Sequence, residues 1–141
     1  LSKKIKGESG RIFVLLGDGE LNEGSVWEAA MLANHKNLNN LIAIVDRNNL
    51  QSDGFSKDIL DIDIQSIWNS FGWDSQVCDG HNIESLIDSF NSIDNNSSKP
   101  QVIIANTIKG KGVYYMENDR AWHHAHMTEE QYEIALAEVI G

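Results

Sequence analysis

Short apolar runs that alternate with segments of helical spacing constrain the fold of this chain more than any other feature. Ile12 to Leu16 and Leu41 to Val45 are continuous apolar runs without polar alternation, and each one stops at residues that favour turns. Such runs are typical of strands covered on both faces of a parallel sheet. Between them, apolar residues in Gly24 to His35 recur at the spacing of one helix face. The pattern predicts a strand, a helix and a second strand.

The rest of the chain continues this alternation. The residues after Asn49, to about Leu60, are expected to form a long loop. Apolar spacing predicts two further helices, and short apolar runs predict two further strands. The helices are Ile64 to Phe71 and Ile83 to Ile93, and the strands are Trp73 to Val77 and Val102 to Ala105.

The last predicted helix runs from Thr128 to Val139, with Thr128 as its N-cap and Gln131 as the capping-box partner. Strands that alternate with helices predict an α/β fold of three layers, in which a mostly parallel sheet carries helices on both faces. In such sheets ligands bind beyond the carboxyl ends of the strands. The length of 141 residues fits one domain, residues 1–141.

The first ten residues, LSKKIKGESG, resemble the end of a helix rather than the start of a domain. Lysines lie in what would be its last turn, and Gly7 stands where a C-cap is expected. The chain also begins without methionine. We therefore expect a domain that is truncated at its start.

Composition narrows the classes of function. The net charge is −10, and no block of Lys or Arg is present that could neutralise a nucleic acid backbone. The single cysteine, Cys78, cannot form an internal disulfide, and no apolar run approaches the length of a membrane span. We expect a cytoplasmic protein that binds neither nucleic acid nor membranes. Acidity does not exclude a phosphorylated ligand, since backbone amides and a bound cation can hold phosphate.

The sequence Gly17-Asp18-Gly19 directly follows the first predicted strand and precedes a predicted helix. This placement puts a carboxylate at a strand end, beside backbone that a ligand can approach closely. The motif is neither the dinucleotide fingerprint, because Asn22 replaces the third glycine, nor a P-loop, because no Gly-Lys-Ser/Thr follows. A simple turn is the alternative for Gly-Asp-Gly considered alone.

Asn48 lies about thirty residues beyond Asp18, just past the second predicted strand. Two neighbouring strand ends can bring these side chains together. Magnesium prefers such hard oxygen ligands, completed by phosphate oxygens and water, and Leu50 could add its backbone carbonyl. The alternative is that Asn48 and Asn49 only form a turn.

Four segments of the chain resemble the transketolases. The first contains Gly-Asp-Gly followed about thirty residues later by Asn, the thiamine diphosphate signature in its transketolase form, and the resemblance extends over nearly all of the chain from Ile12 onward. The ending TEEQYEIALAEVIG resembles the close of the amino-terminal subunit of split transketolases. The segments are GDGELNEGSVWEAAMLANHKNLNNLIAIVDRNNLQSDG, FGWDSQVCDGH, VIIANTIKGKG and MENDRAWHH.

The resemblance implies the diphosphate-binding domain of the thiamine-diphosphate-binding fold, with thiamine diphosphate and Mg²⁺ as cofactors. It implies Asp18, Asn48 and the carbonyl of Leu50 as magnesium ligands. The residues that it implies around the cofactor are Gly17, Asp18, Gly19, Glu20, Asn48, Leu50 and His123.

His123 matches the family histidine that reaches both the cofactor diphosphate and the substrate, and is the expected catalytic residue. His124 occupies a position where many relatives have glycine, so either of the two histidines fits this role. Glu23 and Glu28 match carboxylates at the dimer interface of relatives. For both glutamates the alternative is a stabilising charge near a helix N-terminus, without function.

The implied activity is transfer of a two-carbon ketol unit between sugar phosphates. The family glutamate that activates the cofactor's aminopyrimidine ring comes from a separate domain. The expected partner is therefore a pyrimidine-binding domain or a carboxy-terminal transketolase subunit, within a homodimer or a heterotetramer, and the isolated chain is expected to be inactive.

Three alternatives remain at this point. The chain could belong to another thiamine diphosphate enzyme, such as 1-deoxyxylulose-5-phosphate synthase or a 2-oxo acid dehydrogenase, although the Lys-Gly-Lys-Gly and Trp-His segments disfavour the latter. It could be a non-catalytic phosphate-binding or assembly module. A zinc site at His123, His124 and His126 is disfavoured because no cysteine or second ligand group lies near them.

Overall fold

The predicted apolar runs form neighbouring strands of one parallel sheet. In the computed structural model, which describes residues 1–140, four strands pair in the order β1-β2-β6-β5 and two short strands pair as a separate antiparallel hairpin. The strands are β1 (Ile12–Gly17), β2 (Leu41–Arg47), β3 (Leu50–Gln51), β4 (Gly54–Phe55), β5 (Asp74–Asp79) and β6 (Gln101–Asn106).

Helices connect the strands of the main sheet, and two short 3-10 turns lie near its carboxyl edge. The 3-10 turns are Gly19–Asn22 and Arg120–His123. The helices are α1 (Ser2–Lys6), α2 (Gly24–His35), α3 (Ser56–Ile59), α4 (Ile64–Ser70), α5 (Ile83–Asn91) and α6 (Glu129–Ile140). None of the helices in residues 1–140 has both the length and the apolar character required to cross a bilayer.

Helices pack on both faces of the sheet, as predicted. On one face, Ala30 and Ala33 of α2 and Trp68 of α4 form a buried cluster with strand residues that include Val45 and Ile104. On the other face, the buried residues include Ile42, Cys78 and Ile103, with Leu86 of α5 packed against them. The register pairs Gly17 with Asp46 and Arg47 with Asn106, so the carboxyl ends of the strands lie along one edge.

The prediction that the first strand is covered on both faces is wrong. β1 lies at the edge of the sheet, where Ile12, Phe13, Val14 and Leu15 remain 42%, 49%, 36% and 69% exposed. An apolar run indicates that a strand tends to be buried, but it does not show which helix or strand packs against it. Here α4 and α5 pack against β5, at the opposite edge.

The long loop predicted up to Leu60 contains regular structure. Leu50 pairs with Phe55 and Gln51 with Gly54 to form the β3–β4 hairpin, and α3 follows directly. Asn49 has φ of 58°, so the chain turns sharply just before β3, and a turn at residues 52–53 joins β3 to β4. Elements of two to four residues are too short to show a hydrophobic period, which is why the sequence pattern missed them.

The helix ends follow the predicted local signals. The backbone N–H of Thr128 donates to Gln131 Oε1 at 2.9 Å, and the N–H of Gln131 donates to Thr128 Oγ1 at 3.3 Å, which confirms the capping box. Gly7 ends α1 with φ of 68°, the left-handed conformation predicted for a C-cap. The predicted strand from Trp73 begins one residue later, because the backbone N–H of Trp73 donates to Trp68 O at 3.1 Å and still belongs to the end of α4.

Candidate functional site

A cleft of about 460 Å³ opens at the carboxyl edge of the sheet. Residues that follow β1, β2 and β6 reach it, together with the 3-10 turn Arg120–His123. Its volume is in the range of small-molecule and cofactor sites. Its lining is Gly17, Asp18, Gly19, Glu20, Glu23, Asp46, Asn48, Leu50, Gln51, Ser52, Lys109 and His123.

The cleft brings together every residue that the sequence predicts around the cofactor and the metal. Glu23, predicted at an interface, also lines the cleft, whereas Glu28 and His124 do not. The roles of all these residues as ligands stay predictions. Those predicted around the cofactor are Gly17, Asp18, Gly19, Glu20, Asn48, Leu50 and His123.

Asp18 is held at the end of β1 with its side chain only 4% exposed. Its backbone N–H donates to Asp46 O at 3.1 Å and so extends the pairing of β1 with β2. Its carboxylate Oδ2 accepts hydrogen bonds from the Asn49 N–H at 2.7 Å and from Ser56 Oγ at 3.2 Å. These two bonds end on Oδ2, and the carboxylate keeps further lone pairs available for a cation.

Burial raises the pKa of Asp18 above its ordinary value, and the nearby charge of Asp46 acts in the same direction. Hydrogen bonds from Asn49, Ser56 and the backbone of Gly19 oppose this effect without cancelling it. The ionised carboxylate is thus only partly compensated by the protein. A cation bound beside it would supply the missing stabilisation.

We expect this raised pKa to be visible in the pH dependence of stability without metal. The folded pKa of Asp18 lies above its ordinary value of 3.8, so its contribution to the free energy of unfolding is fully present below pH 3.8. That contribution is lost as pH rises through the folded pKa. Urea unfolding in EDTA should therefore show wild type losing stability relative to Asp18→Asn as pH rises. A relative gain by wild type over that interval would contradict this prediction.

The segment after β2 carries the second half of the predicted magnesium site. Asn48 Oδ1 accepts from the Leu50 N–H at 3.0 Å, which closes a tight turn around Asn49. The hairpin then returns, and the Ser56 N–H donates to Asn49 O at 3.0 Å. This turn directs the Asn49 amide at Asp18 and holds Asn48 in the same cleft.

The turn after Asp18 is fixed by contacts on both sides. The Gly17 N–H donates to Glu20 Oε2 at 3.2 Å, and the Trp27 indole N–H donates to Leu21 O at 2.6 Å. A Cβ atom at Gly19 would meet the side chain of Gln51 at 3.0 Å. Glycine at this position therefore allows the turn and the hairpin to approach closely beside the cleft.

His123 reaches the cleft from the 3-10 turn Arg120–His123. Asp119 begins this turn, where its Oδ1 accepts from the Ala121 N–H at 2.9 Å. Partial loss of surrounding water lowers the pKa of His123, and the electrostatic influence of Lys109 and His124 lowers it further. The ring is therefore neutral around pH 7, with one nitrogen able to donate and the other to accept.

Sequence reasoning missed three residues that line the cleft: Asp46, Gln51 and Ser52. Lys109, which also lines it, lies in the VIIANTIKGKG segment that carries the family resemblance. Asp46 could have been found, because it directly follows the carboxyl end of the predicted strand Leu41 to Val45. Gln51 and Ser52 could not, because they belong to the hairpin that the sequence pattern did not show.

The charge balance of the cleft favours a bound cation. Asp18, Glu20, Glu23 and Asp46 bring four carboxylates, whereas the lining residues include one lysine, Lys109. A diphosphate alone would be repelled. The available donors are carboxylate, amide and backbone carbonyl oxygens, which suit Mg²⁺. Among residues 1–140, no three His, Cys, Asp or Glu side chains are placed to hold a metal ion by themselves. Ligand oxygens or water would have to complete the shell of an ion bound here.

Comparison with known families agrees with this geometry. Residues 6–139 match the family described as transketolase, thiamine diphosphate binding domain. The chain belongs to this transketolase family. Membership covers almost all of the chain, including every residue of the cleft.

Several relatives of this transketolase domain are named as transketolase subunits. The chain is 46% identical to one subunit of the apulose-4-phosphate transketolase of Phocaeicola vulgatus, over 92% of this chain and 46% of that protein. It is 45% identical to the protein of the same name from Actinobacillus succinogenes, over 99% of this chain and 50% of that protein. The chain thus spans about half the length of these curated relatives.

Solved structures give the same assignment. The transketolase of Campylobacter jejuni superposes with a TM-score of 0.87 at 30% sequence identity, over 94% of this chain and 21% of that one. A transketolase of Pichia stipitis superposes with a TM-score of 0.86 at 25% identity, over 94% of this chain and 20% of that one. The α/β architecture with its parallel sheet is therefore the transketolase fold of this domain.

Proposed function

We propose that this transketolase domain binds the magnesium-complexed diphosphate of thiamine diphosphate, within an enzyme that transfers a two-carbon ketol unit between sugar phosphates. The meeting of Asp18 with the Asn48 turn carries the proposal. These residues lie 30 positions apart and share one cleft, where the turn itself donates the 2.7 Å hydrogen bond from Asn49 to Asp18. If Gly-Asp-Gly and Asn48-Asn49 were only surface turns, they would not need to contact each other.

Each residue has a proposed part in holding the cofactor. Asp18, Asn48 and the carbonyl of Leu50 supply oxygen ligands to Mg²⁺, which offsets the carboxylate charge of the cleft. Gly17, Gly19 and Glu20 form the turn that borders the diphosphate. Thiamine diphosphate supplies the carbanion chemistry when bound, and the protein binds and orients it.

His123 and Lys109 line the same cleft as the proposed metal ligands and are proposed to contact the phosphate or the substrate. The neutral ring of His123 can donate a hydrogen bond to a diphosphate or substrate oxygen, which fits its proposed catalytic role. Lys109 adds a positive charge close to His123, as its effect on the pKa of that histidine indicates. Together they complement a negatively charged phosphate group.

A partner subunit or domain is proposed to complete the active site. Helix α2 carries apolar residues on nearly all sides, and Met31 and Leu32 remain 47% and 51% exposed, which is unfavourable for a helix facing only water. Glu23 and Glu28 are also exposed on or beside this helix and are proposed to lie at the interface. Two relatives are themselves named as single subunits of a transketolase. A homodimer or heterotetramer is consistent with these features.

The decisive test of this function is a ketol-transfer assay on the isolated chain and on the chain combined with the remaining transketolase domains. We expect little or no turnover from the chain alone and sugar-phosphate-dependent turnover from the combination. The donor panel should include apulose 4-phosphate, named for two relatives, and a 2-oxo acid as the competing class. Turnover by the isolated chain, or exclusive use of the 2-oxo acid, would contradict the proposal. Absence of turnover from the combination would favour a non-catalytic module.

A further inference from the structure

Thr107 and Ile108 connect the end of β6 to Lys109 in the cleft, and the first of these two residues is hydrogen-bonded to β2. Beyond the end of β6, the Thr107 N–H donates to Arg47 O at 3.1 Å, and Thr107 Oγ1 donates to the carboxylate of Asp46. These bonds continue the pairing of β2 with β6 by one residue past the strand. They fix Thr107 but leave the next two residues without support from β2.

The same segment is then fixed to the turn after β5. The Gly80 N–H donates to Asn106 O at 2.8 Å, and a Cβ atom at Gly80 would lie 2.4 Å from Thr107 Cγ2, so only glycine allows this approach. One residue further, the Ile108 N–H donates to His81 Nε2 at 2.7 Å. His81 is thus bonded to the peptide immediately before Lys109.

His81 is itself oriented for this contact. Its backbone N–H donates to Asp79 Oδ1 at 2.9 Å, which closes the turn between β5 and α5. Acceptance through Nε2 requires a neutral ring with its proton on Nδ1. Neither His81 nor the other members of this turn line the cofactor cleft.

We propose that His81 is a positioning residue, which holds Lys109 at the diphosphate end of the cleft through the Ile108 amide. This inference rests on the proposed cofactor function of the cleft. The Lys109 carbonyl is held from the other side, where it accepts from the Asn118 N–H at 3.0 Å. The backbone of Lys109 is therefore held between two hydrogen bonds, and His81 provides the one that comes from outside the loop.

The hydrogen bond between the Ile108 amide and His81 contributes more to the position of Lys109 than to the stability of the domain. His81 is exposed, so water can replace it as the acceptor for the Ile108 amide without leaving a buried group unpaired. The remaining loop contacts, such as the ion pair of Lys111 with Glu117 at 3.4 Å, include no hydrogen bond to His81. Removing this acceptor should loosen Lys109 while the domain stays folded.

The test compares His81→Phe, which keeps a ring without an acceptor, with His81→Gln, whose Oε1 takes the place of Nε2. His35→Phe, at an exposed histidine on α2, is the matched control. In the assembled protein we expect His81→Phe to speed hydrogen exchange at the Ile108 amide and to weaken binding of thiamine diphosphate with Mg²⁺ roughly two- to tenfold. Turnover at saturating cofactor should change little. His81→Gln should restore both readouts, and His35→Phe should alter neither.

A double-mutant cycle with Lys109→Met separates positioning of Lys109 from any other effect. We expect His81→Phe to add little to the loss of affinity that Lys109→Met causes alone. The inference is overturned if His81→Phe leaves exchange or affinity unchanged, if His81→Gln fails to restore them, or if its effect persists in full beside Lys109→Met. If wild type binds no thiamine diphosphate at all, the proposed function fails first and the role of His81 falls with it.

Discussion

Asp18→Asn is expected to weaken magnesium-dependent binding of thiamine diphosphate by about 100-fold or more. Asp18 provides the carboxylate proposed to bind the metal, and loss of a charged ligand removes both an oxygen donor and the attraction that favours the cation. Calorimetric titration of the assembled protein with thiamine diphosphate in excess Mg²⁺ measures this change. Asp88→Asn, at an exposed carboxylate of α5, is the matched control and should bind normally.

The Asp18→Asn variant should still fold, so a loss of affinity in the titration can be attributed to the missing carboxylate. An asparagine at position 18 keeps the shape of the side chain and an oxygen that can accept from the Asn49 amide and the Ser56 hydroxyl. It also removes a carboxylate whose burial raises its pKa. Thermal unfolding without metal should therefore give a similar or higher midpoint. Unchanged cofactor affinity in Asp18→Asn would show that Asp18 is not a metal ligand.

Trp68→Ala is expected to lower the free energy of unfolding by about 3–5 kcal/mol. Trp68 is 2% exposed, and its ring lies 5.2 Å from that of Trp27 and 4.6 Å from that of Trp73, measured between centroids. Removing it leaves a large cavity between α2, α4 and the sheet. Urea unfolding monitored by circular dichroism measures the loss.

Trp68→Phe is the comparison that separates ring packing from the indole N–H. Trp68 Nε1 has no hydrogen-bond partner within residues 1–140, so phenylalanine removes an unsatisfied polar group while it keeps most of the aromatic contact. We expect a loss well below that of Trp68→Ala. Equal losses for the two variants would show that aromatic packing at this position is not what stabilises the core.

The sequence predicted which residues share the cleft, because their placement depends on local rules. Gly17 to Gly19 and Asn48 follow apolar runs that predict parallel strands, and the carboxyl ends of such strands share one edge. The pairing of the strands then brings Asp18 and Asn48 together, independently of the helix that connects the two strands. His123 is different: nothing in its spacing indicates the cleft, and only the family resemblance pointed to it.

Two of the features that the sequence did not predict depend on contacts between residues that are distant in sequence. The position of β1 at the sheet edge depends on strand order, which no local pattern records. The contact between His81 and Ile108 joins turns 27 residues apart and follows from the pairing of β5 with β6. The β3–β4 hairpin was missed for the opposite reason, because its strands are too short to show a period.

The most direct test of magnesium diphosphate binding is calorimetric titration of thiamine diphosphate into the wild-type chain combined with the proposed partner domain, with Mg²⁺ and then with EDTA. Four carboxylates line the proposed diphosphate site, so we expect saturable binding with Mg²⁺ and its loss when EDTA removes the ion. Binding of equal affinity in EDTA, or no binding in either condition, would contradict the assignment of this cleft as a magnesium diphosphate site.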